Sequence, residues 1–303
     1  MSSNKKLISI VGPTAIGKTS LSIQIAQYLN TEIISCDSRQ FYKEMKVGTA
    51  SPSDEELDMV PHHFIQNLSI KQDYSVGDFE SEAIEVINFL FQKHDQLVMV
   101  GGSGLYEKAI NEGLDEFPDV DPEIRNSLVS ELNEIGIGFL VSELKKVDPE
   151  YYAIADHQNP MRVIRALEVF RSTGKPFSSF RKNNLKSRDF STIKIGLEAP
   201  REIIYNRINL RVDQMMQNGL LEEVKTLLPY RHVNALQTVG YKELFSYLDG
   251  DISLDKAIEE IKKNSRRYAK RQLTWYRKDI SVHWFPYNDK DAVIQFIKNL
   301  LEK

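Results

Sequence analysis

The sequence predicts an α/β protein with a parallel sheet and a mainly helical insertion. Three observations predict it. Short apolar, β-branched runs alternate with helical patterns as far as residue 100, and a glycine-rich turn joins the first strand to the first helix. The strand signal then disappears between about 119 and 190 before it returns.

Leu7-Ile8-Ser9-Ile10-Val11 reads as a buried strand, because a parallel strand covered on both faces is a nearly continuous apolar run. It ends at Gly12, and from about Gly17 the residues Leu21, Ile25, Ala26 and Leu29 recur at helical spacing. Residues 32–36 predict a second strand that ends at Asp37. A helix follows over 79–91, with Ala83, Ile84, Ile87 and Leu90 on one face, and residues 97–100 form a third strand running into Gly101 and Gly102. Asp121-Pro122 caps a helix at 123–135, and helical stretches cover about 139–146 and 160–173. The Lys-, Arg-, Ser- and Asn-rich residues 181–191 read as a linker. Residues 192–197 resume the sheet, helix follows from about Pro200, and residues 283–286 form a last strand before a helix from about Asp289. The expected organisation is a core of residues 1–118 and 191–303 around a helical insertion of residues 119–190.

The chain has 303 residues, 41% hydrophobic and 27% charged, which excludes long disorder. Its one cysteine, Cys36, excludes a disulfide framework and a Cys-based zinc site. No apolar run approaches the roughly 18 residues that span a membrane. The opening residues carry too short an apolar run for a signal peptide, so a cytoplasmic location and no membrane partner are expected, and the chain is expected to be a monomer. The net charge of −4 conceals an asymmetry. Residues 1–150 hold 12 Lys and Arg against 25 Asp and Glu, a net of −13, and residues 151–303 hold 27 against 18, a net of +9. Such segregation points either to a polyanion meeting the second half or to an uneven solvated surface.

Gly12-Pro13-Thr14-Ala15-Ile16-Gly17-Lys18-Thr19 matches G-x-x-x-x-G-K-[ST] between a strand and a helix, the context that motif requires. Backbone N–H groups of such a loop cradle phosphate oxygens, Lys18 adds a point charge, and the Thr19 hydroxyl suits a Mg²⁺ ion. The core is therefore P-loop nucleoside-triphosphate-hydrolase-like, and its ligand is phosphorylated without having to be a nucleotide. A hydrolase of that type would place a carboxylate after residues 97–100, where this chain has Gly101-Gly102-Ser103-Gly104-Leu105-Tyr106. The carboxylate stands instead at Asp37, either as a general base beside a leaving phosphate or as a cap in the turn before Ser38.

Beyond the P-loop, Ser35-Cys36-Asp37-Ser38-Arg39-Gln40-Phe41-Tyr42, Val47-Gly48-Thr49-Ala50 and Pro61-His62-His63-Phe64 resemble the tRNA dimethylallyltransferases. So do the GGSGLY segment, Arg162-Val163-Ile164-Arg165-Ala166-Leu167-Glu168 and Gln237-Thr238-Val239-Gly240-Tyr241-Lys242-Glu243. The matches run in order over nearly the whole chain. The resemblance implies transfer of a dimethylallyl group from dimethylallyl diphosphate to N6 of adenosine 37 in tRNA. It implies that the P-loop and Mg²⁺ hold the diphosphate and that Asp37 takes the proton from the amine. Arg211, with Arg207 as second choice one helical turn before it, is the expected diphosphate arginine. Ser103 stands where the family usually has Thr and is expected near the reacting centre. The C-terminal zinc finger of the eukaryotic members is not seen, which fits the bacterial type.

For tRNA, the resemblance implies contacts from Asp37, Ser38, Arg39, Gln40, Ser103, Arg125, Met161, Arg162, Arg165, Gln237, Thr238, Gly240, Tyr241 and Lys242. Gln237 and Lys242 replace arginines of some relatives, and Ser51 replaces the usual Lys after GTA, which alters RNA preference rather than the reaction. Residues 262–278 carry eight basic side chains with aromatics interleaved. On a helix Lys263, Arg267, Lys270 and Arg271 share a face that suits an RNA backbone, while Tyr268, Leu273, Trp275 and Tyr276 are placed for burial or stacking. A solvated helix packed by its aromatics is the bland alternative. His62 and His63 are expected to pack a loop or line the substrate site rather than bind metal, and Cys36 to pack in a strand. Two other classes remain at this point: a P-loop kinase of a small hydroxyl-bearing acceptor, and a non-catalytic RNA-binding P-loop protein. Prenylation of free AMP or ADP is a variant of the first reading, disfavoured by the basic C-terminal half.

Overall fold

The computed structural model describes residues 5–182 and 185–302. Residues 183 and 184 of the expected linker and residues 1–4 of the opening segment lie outside the described residues. The described chain divides into two compact units, residues 1–111 with 187–303, and residues 112–186. The helical unit thus begins and ends a few residues earlier than the expected 119 and 190.

The larger unit runs β1 (Lys6–Val11), α1 (Lys18–Leu29), β2 (Ile33–Ser35), α2 (Asp54–Met59), β3 (His62–His63), α3 (Val76–Leu90), β4 (Gln96–Val100) and α4 (Gly104–Glu112). The second unit holds α5 (Pro122–Ile135), α6 (Ile137–Val147), α7 (Pro149–Ile154) and α8 (Pro160–Thr173). The larger unit then resumes with β5 (Ser191–Glu198), α9 (Arg201–Gln217), α10 (Leu220–Leu227), α11 (Tyr241–Leu248), α12 (Leu254–Tyr276), β6 (Val282–Pro286) and α13 (Lys290–Leu301). Every strand expected from the sequence is present. The helix expected over 79–91 starts earlier because Ser75 and Asp78 form a reciprocal capping box, Ser75 Oγ accepting from Asp78 N–H and the Asp78 carboxylate from Ser75 N–H. His62 and His63 lie in an edge strand rather than a loop, paired with Ile33 and Ile34.

The sheet order is β3-β2-β4-β1-β5-β6, with every described pair parallel. Consecutive side chains of a strand face opposite layers. Leu7 therefore packs with Phe79, Ile87 and Leu244 on one face, while Ile8 and Ile10 pack with Ile25, Ile204 and Ile297 on the other. From β1 the chain crosses over β4 to reach β2, and from β4 it returns past β1 to β5. The order reverses there, and the crevice at the carboxyl ends of β1 and β4 is where such sheets take ligands. The helical unit has its own core of Leu128, Leu140, Leu144, Val163, Ile164 and Leu167. No helix among the described residues is long and apolar enough to cross a membrane.

Candidate active site

The phosphate loop occupies the carboxyl end of β1. Gly12 takes φ +138°, and a Cβ there would lie 2.8 Å from the Leu197 carbonyl oxygen of β5, so glycine is required. Gly17 opens α1 in a left-handed conformation with no side-chain cap, which leaves the first N–H groups of the helix directed at the loop. The Lys18 ammonium donates to the carbonyls of Gly12 at 3.1 Å and Pro13 at 2.9 Å. Burial draws its pKa down to about 8, opposed by the nearby Asp37 carboxylate.

Two arginines of α9 reach the loop. Arg207 donates through Nε to the Ala15 carbonyl at 2.7 Å. Arg211 donates through Nη1 to the Thr14 hydroxyl at 3.4 Å and through Nη2 to the Thr49 carbonyl at 3.1 Å. Burial disfavours its charged form and Asp37 opposes that effect. The Val47–Ala50 turn that carries the Thr49 carbonyl is clamped by Glu223. That carboxylate accepts from Val47 N–H at 2.7 Å, Gly48 N–H at 2.9 Å and the Tyr241 hydroxyl at 2.7 Å. Gly48 is needed because the Tyr241 ring lies against it.

Asp37 follows β2, and its Oδ1 accepts from Arg39 N–H at 3.1 Å. The Ser103 hydroxyl accepts from Ser38 N–H at 3.1 Å and lies 3.0 Å from the Ser38 hydroxyl, joining the turns after β2 and β4. Cys36 is buried with its sulfur against Gly101, and burial pushes the thiol pKa up, so it packs as expected and is no nucleophile. Tyr268 is directed at the Gly102 carbonyl, its pKa pushed up to about 12 by burial and by Asp37.

Two clefts meet at this point. One, of about 580 Å³, is lined by Thr14 to Ser20, Gln40, Ser51, His62, Arg207 and Arg211. The other, of about 730 Å³, is lined by Ser38, Arg39, Gln237, Thr238, Gly240, Lys242, Tyr268 and Arg271. Thr14, Asp37 and Arg211 line both. One cleft is therefore edged by loop residues and cations, the other by a mixture of polar, charged and apolar side chains such as Val212, Met215 and Leu220, and Asp37 stands on the wall between them.

Tyr241 is fully buried and spends its hydroxyl on Glu223. Arg39 is committed to the carbonyls of Asn234 and Ala235. Gln40 donates to the Ala50 carbonyl and Gln237 to the Arg231 carbonyl. On α12, Arg267, Lys270 and Arg271 are exposed, whereas Lys263 is paired with Glu260. Tyr276 is buried and Trp275 is exposed, with its ring beside Gly104. Within the helical unit, Arg125 and Arg165 share the buried Glu168 at 3.2 and 2.6 Å, and Met161 and Arg162 are exposed on the first turn of α8. Glu223 and Gln272 join the site without belonging to any motif legible in the sequence. Gln272 had one signal, its position four residues from both Tyr268 and Tyr276 on the inward stripe of α12.

Fold and site define a P-loop α/β protein with a carboxylate beside the phosphate loop and none at the end of the neighbouring strand. The family model for IPP transferase matches residues 40–279, and the chain belongs to that family. It is 60% identical over 288 residues to the tRNA dimethylallyltransferase of Christiangramia forsetii, with 95% of each chain covered. The solved tRNA isopentenylpyrophosphate transferase of Bacillus halodurans superposes with a TM-score of 0.72 at 39% identity, covering 98% of this chain and 97% of that one. A eukaryotic dimethylallyltransferase solved acting on tRNA gives a TM-score of 0.78 at 28% identity over 97% of this chain and 80% of its own.

Proposed function

We propose that this chain transfers a dimethylallyl group from dimethylallyl diphosphate to N6 of adenosine 37 in tRNA and releases diphosphate. One observation carries the reading at the level of residues. Asp37 stands beside Thr14 and Arg211 on the wall shared by a phosphate-type cleft and a larger cleft of mixed polar and apolar lining.

The loop N–H groups, Lys18, Arg207 and Arg211 suit a diphosphate, whose charge grows as the allylic C–O bond breaks and is best met by fixed donors. The exocyclic nitrogen attacks the allylic carbon, the C–O bond to diphosphate breaks, and Asp37 accepts the proton of the amine. That nitrogen is a weak nucleophile because its lone pair is delocalised into the ring, and a positioned base is worth ~10²–10⁴-fold in such a step. Ser103, tied to Ser38, holds the turn that carries Asp37 against the end of β4. The target base must leave its stack to reach an enclosed site. Gln237, Thr238, Gly240, Lys242 and Arg271 then line its route.

The Thr19 hydroxyl is a hard oxygen donor on the phosphate-side cleft, and no trio of His, Cys, Asp or Glu among the described residues could hold an ion alone. Such a donor set fits Mg²⁺ bound chiefly through substrate phosphate oxygens and water. The ion would supply charge neutralisation to the leaving diphosphate. Arg125, Met161, Arg162 and Arg165 of the helical unit, and Arg267 and Lys270 of α12, serve the RNA backbone and loop. The proposed form is a monomer acting in the cytoplasm.

The test is nucleoside mass analysis of unmodified tRNA carrying A36-A37 after incubation with the protein, Mg²⁺ and dimethylallyl diphosphate. A prenylated adenosine is expected. Phosphate transfer from ATP to a metabolite with no prenylated adenosine would replace this reading with the kinase one.

A further inference from the structure

Gln272 is a neutral residue in a basic run, and it lies on the buried face of α12 with 5% of its surface exposed. Both ends of its amide are used on backbone. Its Oε1 accepts from Thr14 N–H in the phosphate loop at 2.8 Å, and its Nε2 donates to the Gly102 carbonyl at 2.8 Å. The two loops follow adjacent strands, β1 and β4. One carries the cradle assigned to the diphosphate, and the other carries Ser103. A Cβ on Gly102 would collide with Gln272 Nε2 and lie 3.7 Å from Asp37 Oδ2, so amide, turn and carboxylate crowd within one side chain's width.

We propose that Gln272 is a positioning residue for the transfer. It sets the spacing between the phosphate loop and the Gly102–Ser103 turn, and through them the spacing between leaving diphosphate and base. This rests on the donor and base assignments made above. A displacement needs nucleophile, carbon and leaving oxygen held in one geometry, and a 1 Å misplacement costs on the order of 10²-fold in rate. Only a side chain that donates and accepts at once satisfies both loops. A methionine of similar volume leaves the Thr14 N–H unpaired and the Gly102 carbonyl with only the longer Tyr268 hydroxyl contact at 3.4 Å, and a glutamate sets an anionic oxygen against that carbonyl. Arg267, Lys270 and Arg271 project from the exposed side of the same helix. The helix assigned to the RNA backbone therefore also braces the two reacting loops.

The experiment compares Gln272→Met and Gln272→Glu with the wild-type chain and with Asp37→Ala. Melting, tRNA dissociation constant, KM for dimethylallyl diphosphate and single-turnover rate are measured for each. A positioning role predicts a folded Gln272→Met protein whose single-turnover rate falls on the order of 10²-fold, whose KM for the donor rises and whose tRNA affinity stays within about two-fold. Gln272→Glu should lose more than Gln272→Met despite its closer shape. A Gln272→Met enzyme with wild-type rate and KM overturns the proposal, and so does a loss confined to tRNA affinity, which marks a direct RNA contact. Should Gln272→Met not fold, Gln272→Asn, whose shorter amide spans one loop at most, is judged on the same two criteria. Normal turnover by Asp37→Ala would instead overturn the assignment of the base, an outcome separable from failure at Gln272.

Discussion

At the scale of single residues, burial and nearby charge set the chemistry. The Lys18 pKa lies near 8 because its ammonium is desolvated, with Asp37 opposing. Of the two forms of Lys18, only the ammonium adds its charge to that of Arg207, Arg211 and the loop N–H groups. The value of kcat/KM for the donor should therefore fall as pH rises through about 8. Stability moves the other way. The folded-state pKa is depressed below that of an unfolded lysine, so the unfolded chain binds the extra proton in that window. Melting temperature should rise as pH goes from about 8 towards the usual lysine value of ~10.4 while donor binding weakens. Parallel pH scans of melting and of kcat/KM separate the two. Replacing Asp37 with Asn should cost ~10²–10⁴-fold in turnover and leave tRNA affinity within a few-fold, as read by single-turnover assay and filter binding. Glu223 receives three hydrogen bonds that hold the turn bearing the Thr49 carbonyl. Glu223→Gln should cost about 1–3 kcal/mol in a denaturant titration, because its amide NH₂ faces groups that donate. It should also raise the donor KM through the Thr49–Arg211 contact.

At the scale of elements, α12 joins two tasks on two faces. Tyr268, Gln272 and Tyr276 recur every four residues on the inward side, and Arg267, Lys270 and Arg271 on the outer side are exposed. Phosphate contacts release counterions, so log affinity falls with log salt by roughly 0.7–0.9 per contact. Neutralising Arg267, Lys270 and Arg271 one at a time to Gln should weaken tRNA binding and lower that slope by about this amount for each residue in contact. A slope that does not change would remove α12 from the RNA interface. The spacing of basic and aromatic residues along the chain makes the outer face legible in the sequence. The role of the inward glutamine is not legible there, because its partners, Thr14 and Gly102, lie 258 and 170 residues away.

At the scale of the whole molecule, the larger unit has hydrophobic layers on both sheet faces, and the helical unit has a core of its own. The ends of the helical unit meet, with Lys186 N–H donating to the Glu112 carbonyl at 2.8 Å. A short Gly/Ser linker in place of residues 113–185 should therefore leave a cooperatively folding core. With the helical unit assigned to tRNA, that shortened chain should keep dimethylallyl diphosphate binding and show a raised KM for tRNA. Calorimetry and steady-state kinetics check both.

The parallel α/β class, the phosphate loop, the place of Asp37 and the helical character of residues 122–173 are legible in the amino-acid order alone. Each is encoded locally, in a periodicity, a turn or a motif whose parts are close along the chain. His62 and His63 escaped it because two residues carry no period, and their strand exists only where Ile33 and Ile34 lie alongside. The direction of the Tyr241 ring is not legible there either, because a motif position says nothing about which way a ring faces, and only packing against Gly48 and Glu223 turns it inward. Only in the folded chain do Asp37, Thr14 and Arg211 share a wall between two clefts and does Gln272 tie the two loops together. Those relations join distant segments, and a pairing is determined only once the sheet order and the helix rotations are set.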